Sequence, residues 1–257
     1  MQTLNLSKEE RVEQLNLRKN EVAQLCLTKS TLNGLTSRVA LVLDYSGSMS
    51  SLYENGTVQS VVEKVLPIAM NFDDNGTMEM WIFENGFRRL EDISLENFYG
   101  YVENNIMKYR MGGTCFAPVM EDIFNRYIKE DPANLPNYVI FITDGENSDK
   151  AKTNDLIKKL SKYPIFFQFI GIGNCDFRYL SNLDKMEGRY VDNANFFAVR
   201  DVDTVSYDML LNEYPSWLAD EKVKQMIAEQ GKGNESLNEN APKKRGLFGR
   251  LFKCFFT

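Results

Sequence analysis

Apolar runs alternate with segments of helical periodicity along the middle of the chain. Residues 57–71 carry valine, leucine and alanine at three- to four-residue spacing, which predicts an amphipathic helix. Runs of β-branched and aromatic residues predict strands buried on both faces. These runs are VALVLD (39–44), TMEMWIF (77–83), YVIFIT (138–143), IFFQFIGI (165–172) and NFFAV (195–199). Further helices are predicted over 95–107, 117–130, 151–162, 176–186 and 203–229.

This alternation predicts a doubly wound α/β domain with a mostly parallel sheet and helices on both faces, because parallel strands need crossover connections. One connection is different. Residues 81–83 and 87–90 are joined by Glu84-Asn85-Gly86, a short turn with glycine that is typical of a hairpin. We therefore expect one antiparallel strand at an edge of the sheet.

The two ends of the chain differ in composition from the central domain, which we place at residues 36–230. In residues 1–35, Ser7 and Glu10 form a capping-box pattern, and the segment predicts an amphipathic helix with a short strand packed on the domain. Residues 231–242 have the composition of a flexible polar linker. Residues 243–257 form a basic, aromatic tail.

Composition and charge exclude several classes of function. The 257 residues contain no histidine, so serine–histidine triads, cysteine–histidine dyads and histidine metal ligands are excluded. The chain has 30 Lys and Arg against 36 Asp and Glu, a net charge of −6, which argues against a nucleic-acid partner. The four cysteines are far apart and form no CxxC motif. With no apolar leader or long apolar stretch, we expect reduced thiols and a cytoplasmic setting.

The candidate chemistry follows the ends of predicted strands. In open α/β sheets, ligands bind at the carboxyl ends of the strands. The first run ends in residues 44–48 (DYSGS), the third in residues 143–146 (TDGE), and residues 111–114 (MGGT) precede a predicted helix. These loops supply two carboxylates and three hydroxyls, from Asp44, Asp144, Ser46, Ser48 and Thr114. Such hard oxygen donors suit Mg²⁺ or Mn²⁺.

Neighbouring residues complete this prediction. Gly47 would allow a tight turn between the serines, and Gly112 and Gly113 would let the backbone approach the ion. Glu146 and Asp149 are candidates for supporting hydrogen bonds or partner contacts, although a solvated loop explains them more simply. With only two carboxylates, a divalent ion would keep the capacity to accept a further acid from a protein partner.

The pattern Asp44-x-Ser46-x-Ser48, then Thr114, then Asp144-Gly145 resembles the metal-ion-dependent adhesion site (MIDAS) of von Willebrand factor A (vWA) domains. The resemblance covers residues 38–215 and implies that these five side chains contact the ion directly or through water. Other phrases resemble the bacterial tellurium-resistance-associated vWA proteins and the copine A domain. These are FDDNG (72–76), WIFENGFRRL (81–90), GGTCFAPVM (112–120), ITDGENSD (142–149), FQFIGIG (167–173) and GRYVDNANFFAV (188–199).

The resemblance implies a non-enzymatic, metal-dependent protein-binding module, a scaffold in bacterial stress response or tellurite resistance. A Mg²⁺-dependent phosphohydrolase is a weaker alternative. Aspartyl-phosphate chemistry would need a second acid two residues after Asp44, and Ser46 stands there.

The tail supports another alternative, a peripheral membrane adaptor at the inner face. Apolar side chains recur at three- to four-residue spacing between cations, so the tail suits either an anionic lipid surface or a partner's groove. The residues concerned are Lys243, Lys244, Arg245, Phe248, Arg250, Leu251 and Phe252.

Overall fold

The computed structural model describes residues 6–145 and 147–230. Six strands form a single sheet in the order β3-β2-β1-β4-β5-β6. The strands are β1 (Arg38–Asp44), β2 (Met78–Phe83), β3 (Phe87–Ile93), β4 (Asn137–Thr143), β5 (Ile165–Ile172) and β6 (Ala194–Val199). Every neighbouring pair is parallel except β2 and β3, which form the edge hairpin. The predicted fold class and its antiparallel edge strand are confirmed.

Helices cover both faces of the sheet. The helices are α1 (Lys8–Thr28), α2 (Ser50–Glu54), α3 (Thr57–Phe72), α4 (Ala117–Phe124), α5 (Lys150–Leu160), α6 (Arg178–Asp184), α7 (Tyr207–Leu210), α8 (Tyr214–Ala219) and α9 (Glu221–Gln230). Short 3₁₀ turns span Gly47–Met49 and Val202–Thr204, and π-helical turns span Val102–Ile106 and Asn125–Glu130. One apolar core lies under α1 and α3, and the other lies under α4, α5 and α6. β1, β4 and β5 are therefore buried on both faces, as their continuous apolar runs predict.

The N-terminal segment folds differently from the prediction in one respect. Ser7 caps α1 through the predicted capping box with Glu10. The helix packs on α3, where Arg11 forms a bidentate ion pair with Glu63 at 2.7 and 2.8 Å. The expected short strand is absent from the described residues 6–35, which continue from the helix into turns.

Two predicted helices are also wrong in extent. Instead of a helix over 95–107, the described residues form turns and then the single π-helical turn, because Gly100 adopts a left-handed φ of 67°. The predicted helix over 203–229 is broken into α7, α8 and α9. Pro215 lies in the first turn of α8, where its missing N–H is tolerated, and Asp220 is extended between α8 and α9.

Candidate metal centre

The loop after β1 gathers the first three predicted ligands. Asp44 is the last residue of the strand and is fully buried, and its Oδ1 accepts a 2.9 Å hydrogen bond from the Ser46 backbone N–H. The chain then enters the 3₁₀ turn Gly47–Met49. This turn brings the hydroxyl oxygens of Ser46 and Ser48 to 3.1 Å from each other. The loop therefore presents one carboxylate and two adjacent hydroxyls at the same edge.

A second loop is held directly beside the first. Ser46 and Gly112 form a parallel β-bridge, in which the Gly47 N–H donates to the Gly112 carbonyl at 3.0 Å. The chain continues from this bridge to Thr114, which is buried. The Thr114 carbonyl accepts a 2.8 Å hydrogen bond from the backbone N–H of Ser148, in the loop that follows β4. Backbone hydrogen bonds thus tie all three predicted loops to one another.

The end of β4 adds the second carboxylate. Thr143 is the last residue of the strand, and its Oγ1 donates a 2.6 Å hydrogen bond to Asp44 Oδ2. Asp144 follows and is 4% exposed, yet its Oδ1 is buried with no hydrogen-bond partner among the described residues. A buried carboxylate oxygen without a partner is costly unless another group compensates it. A bound cation would supply that compensation.

The electrostatics of Asp44 point in the same direction. The pKa of Asp44 is raised to about 7, mainly by burial and also by the negative charge of Asp144. Hydrogen bonds from Thr143 and Ser46 act in the opposite sense. A buried carboxylate whose charge is destabilised by a neighbouring carboxylate forms an arrangement that a divalent cation relieves.

Sequence reasoning missed Thr143 and Tyr53. The Tyr53 hydroxyl donates a 2.8 Å hydrogen bond to the Asp44 carbonyl and is buried beneath the loop. Thr143 could have been found, because it directly precedes Asp144 at the end of a predicted strand. No sequence pattern indicates the role of Tyr53, since that role depends on how α2 folds back under β1.

The surroundings of the three predicted glycines differ in whether they favour glycine. A Cβ on Gly112 would lie 2.8 Å from Glu84 Oε2, and one on Gly113 would lie 2.5 Å from Asn85 Oδ1. The tip of the β2–β3 hairpin therefore packs against this loop, and a larger residue at either position would require these side chains to shift. A Cβ on Gly47 would meet open space, and its φ is not left-handed, so sterics in the metal-free loop do not require glycine there.

Asp149 acts inside the protein. Its two carboxylate oxygens accept 3.0 Å hydrogen bonds from the backbone N–H groups of Phe116 and Ala117, and Oδ1 also accepts one from Thr153 at 2.9 Å. Asp149 therefore fixes the start of α4, which begins three residues after Thr114. Glu146 and the predicted tail contacts at Lys243, Lys244, Arg245, Phe248, Arg250, Leu251 and Phe252 lie outside the described residues.

The donor set itself suits a hard cation. In the part of the chain that the structure describes, no three His, Cys, Asp or Glu side chains form a metal-binding group. A metal at this edge would therefore depend on the hydroxyls of Ser46, Ser48 and Thr114 as well as on two carboxylates. Oxygen-only ligation of this kind fits Mg²⁺ or Mn²⁺ better than a thiolate-seeking metal.

The sheet order and the three-loop edge together define a vWA domain. The vWA-TerF-like family model, described as the vWA found in the TerF C terminus, matches residues 36–227. The chain belongs to this family, which confirms the resemblance drawn from its motifs. Among the described residues, no helix is long and apolar enough to cross a membrane.

Individual relatives agree with this assignment. The chain is 42% identical over 246 residues to the uncharacterised protein YcbR of Bacillus subtilis, covering 93% of this chain and 98% of YcbR. It is 32% identical over 129 residues to Copine-D of Dictyostelium discoideum, covering 49% of this chain and 24% of Copine-D.

Solved structures show the same fold at low identity. The vWA domain of SpRpn10 superimposes with a TM-score of 0.52 at 11% identity, covering 69% of this chain and 95% of that one. Proximal thread matrix protein 1 from the mussel byssus, solved with a zinc-occupied MIDAS motif, gives a TM-score of 0.51 at 18% identity. That match covers 75% of this chain and 46% of the mussel chain.

Proposed function

We propose that the protein is a non-enzymatic binding module that holds Mg²⁺ or Mn²⁺ at the edge formed by Asp44, Thr114 and Asp144. The observation that carries the proposal is the unpartnered, buried Asp144 Oδ1 close to a second buried carboxylate. vWA domains often bind a divalent metal at a MIDAS, and the zinc-occupied mussel neighbour gives one example. The five matching side chains support the same site here.

The five proposed ligands would supply the ion with both charged and neutral oxygen atoms. Asp44 and Asp144 supply the negative charge, and the hydroxyls of Ser46, Ser48 and Thr114 supply neutral oxygens. When bound, the ion would act as a Lewis acid toward a carboxylate of a protein partner. Because the protein's own carboxylates balance only the ion's two charges, a further anionic ligand from the partner remains favourable. Asp149 and Tyr53 hold the loops in register.

The finer assignment is a scaffold in bacterial stress response or tellurite resistance, in the cytoplasm. It rests on the motifs shared with the tellurium-resistance-associated proteins and on membership of the TerF-like family. The non-enzymatic assignment rests on the general role of vWA domains and on Ser46, which stands where a phosphotransferase needs an acid.

A partner-capture experiment tests this function. Full-length protein is used as bait with Mg²⁺ or with a chelator, beside an Asp44→Asn variant. We expect specific partners to be retained only by the wild type with Mg²⁺. Asp176→Asn is the matched control, because Asp176 is exposed, lies in the loop after β5 and pairs with Arg178 outside the donor set. Equal retention of every partner by the Asp44 variant would contradict the proposal.

A further inference from the structure

A pocket of about 380 Å³ lies at the opposite end of the sheet from the candidate metal centre. Phe166, the second residue of β5, forms part of it, whereas Gly171 of the same strand pairs with Thr143 at the metal edge. Five residues of strand separate these positions, about 17 Å. The pocket is lined by Phe166, Asp192, Glu213, Ser216, Trp217 and Asp220.

Negative charge dominates the lining of this pocket. Asp192 pairs with Arg189 at 2.7 Å, but Glu213 and Asp220 form no ion pair with any described residue. Burial and the nearby charges of Asp184 and Asp192 raise the pKa of Glu213. Arg189, which pairs with Asp192, acts in the opposite sense on the pKa of Glu213, but no described cation forms an ion pair with Glu213 or Asp220. An ammonium or guanidinium group is a favourable ligand for such an acidic wall.

The occupant that the sequence offers is the basic tail. The last 17 residues hold five Lys and Arg and no acid, and the preceding residues hold 25 Lys and Arg against 36 Asp and Glu, a net charge of −11. The tail also carries four phenylalanines, at positions 248, 252, 255 and 256. Its cations match the pocket carboxylates in charge.

The connection is long enough for the tail to reach. The helix α9 begins at Glu221, next to Asp220 in the pocket wall, and ends at Gln230, about 15 Å away for ten helical residues. The following 12 residues, GKGNESLNENAP, have the composition of a flexible chain, for which the root-mean-square span is about 19 Å. Residue 243 can therefore return to the pocket.

We propose that this pocket is a binding site for basic peptide segments and that its occupant is residues 243–257 of the same chain. Lys243, Lys244 and Arg245 meet Glu213 and Asp220. This contact is independent of the metal, because it lies at the other end of the sheet.

Disulfide trapping in the full-length chain tests the proposal. Ser216→Cys places a thiol in the pocket wall, and Cys175→Ser removes an exposed competing cysteine. Under mild oxidation we measure the rate of intrachain disulfide formation between position 216 and Cys254. Adding Glu213→Lys with Asp220→Lys should slow this rate about tenfold. Adding Lys243→Glu, Lys244→Glu and Arg245→Glu to those two changes should restore it.

The control is Glu229→Lys, which makes the same charge change as Asp220→Lys alone, on α9 at a residue outside the pocket wall, and should leave the rate unchanged. Asp220→Lys alone replaces the double variant if the latter loses cooperative unfolding. An unchanged rate in the pocket variants, or an equal loss in the Glu229 control, would overturn the proposal.

The same protein variants distinguish two other modes of tail binding, to a second chain and to a membrane. Disulfide-linked dimers in place of the intrachain product would show docking between chains and overturn the intrachain contact. With phosphatidylserine vesicles, we expect the pocket-reversed variant to bind more tightly than the wild type, because its tail is released. Equal vesicle binding by both, with an unchanged trapping rate, would assign the tail to the membrane instead.

Discussion

The two ends of the parallel strands hold acidic side chains in different surroundings. At the carboxyl ends of β1 and β4, Asp44 and Asp144 are buried, and Asp44 accepts hydrogen bonds from the Ser46 backbone N–H and the Thr143 hydroxyl. At the amino end of β5, Glu213 is half-buried and Asp220 is exposed, and their neighbours are the rings of Phe166 and Trp217.

This difference sets the kind of cation that each end can hold. A small, hard ion needs several oxygen atoms that converge in a closed site, which the metal edge provides. An organic cation needs carboxylates that it can reach, which Glu213 and Asp220 provide at the amino end. Acidic residues alone therefore do not identify a ligand, whereas their burial and neighbours do.

The largest expected effect is the loss of Mg²⁺ affinity when a charged ligand, rather than a neutral one, is removed from the metal edge. Asp144→Ala removes a charged ligand and should weaken Mg²⁺ binding by at least about 100-fold, whereas Thr114→Ala removes a neutral one and should weaken it about tenfold. Calorimetric titration of both variants measures the two losses. Equal losses would contradict the electrostatic account of the site, and neither change should alter disulfide trapping of the tail.

A smaller effect is expected from Asp149, which joins the loops and is not one of the proposed ligands. Asp149→Ala leaves the backbone N–H groups of Phe116 and Ala117 without their acceptor, so the free energy of unfolding should fall by about 2–3 kcal/mol. Urea unfolding of metal-free protein measures this. Asp155→Ala, on the outer side of α5, is the control. A loss no larger than the control's would mean that Asp149 does not hold the loops together.

The smallest expected effect is on pH dependence. Because burial raises the pKa of Asp44 to about 7, metal has to displace a proton below that pH. The Mg²⁺ affinity should therefore fall about tenfold per pH unit below 7 and level off above it. In metal-free protein the same raised pKa makes stability decrease as the pH rises from about 4 to about 7. A flat affinity from pH 6 to 8 would argue against Asp44 as a ligand.

The sequence predicted the sheet well and the irregular helices poorly. Strands β1, β4 and β5 are buried on both faces, so their continuous apolar runs carry a strong local signal. The break between α8 and α9 depends on the extended conformation of Asp220, and the turns before Val102–Ile106 depend on Gly100. An apolar pattern with helical spacing does not show where a single residue adopts a non-helical backbone conformation.

The residues of the candidate site also differ in how well the sequence predicts them. Its proposed ligands follow strand ends, which local sequence marks, so the sequence alone could place Asp44 and Asp144 at one edge. Tyr53, Glu84 and Asn85 reach the site from α2 and from the hairpin tip, through contacts that no local pattern encodes. Asp149 was singled out, but its partners at the start of α4 are 32 and 33 residues away in sequence.

The most direct test of the central claim is a calorimetric titration of metal-free, full-length protein with Mg²⁺ and Mn²⁺, beside Asp44→Ala and the Asp176→Asn control. The account predicts one ion per chain for the wild type and for the control, and none for the Asp44 variant in a cooperatively folded protein. No binding by the wild type, or equal binding by the folded Asp44 variant, would contradict the assignment of this edge as a metal centre.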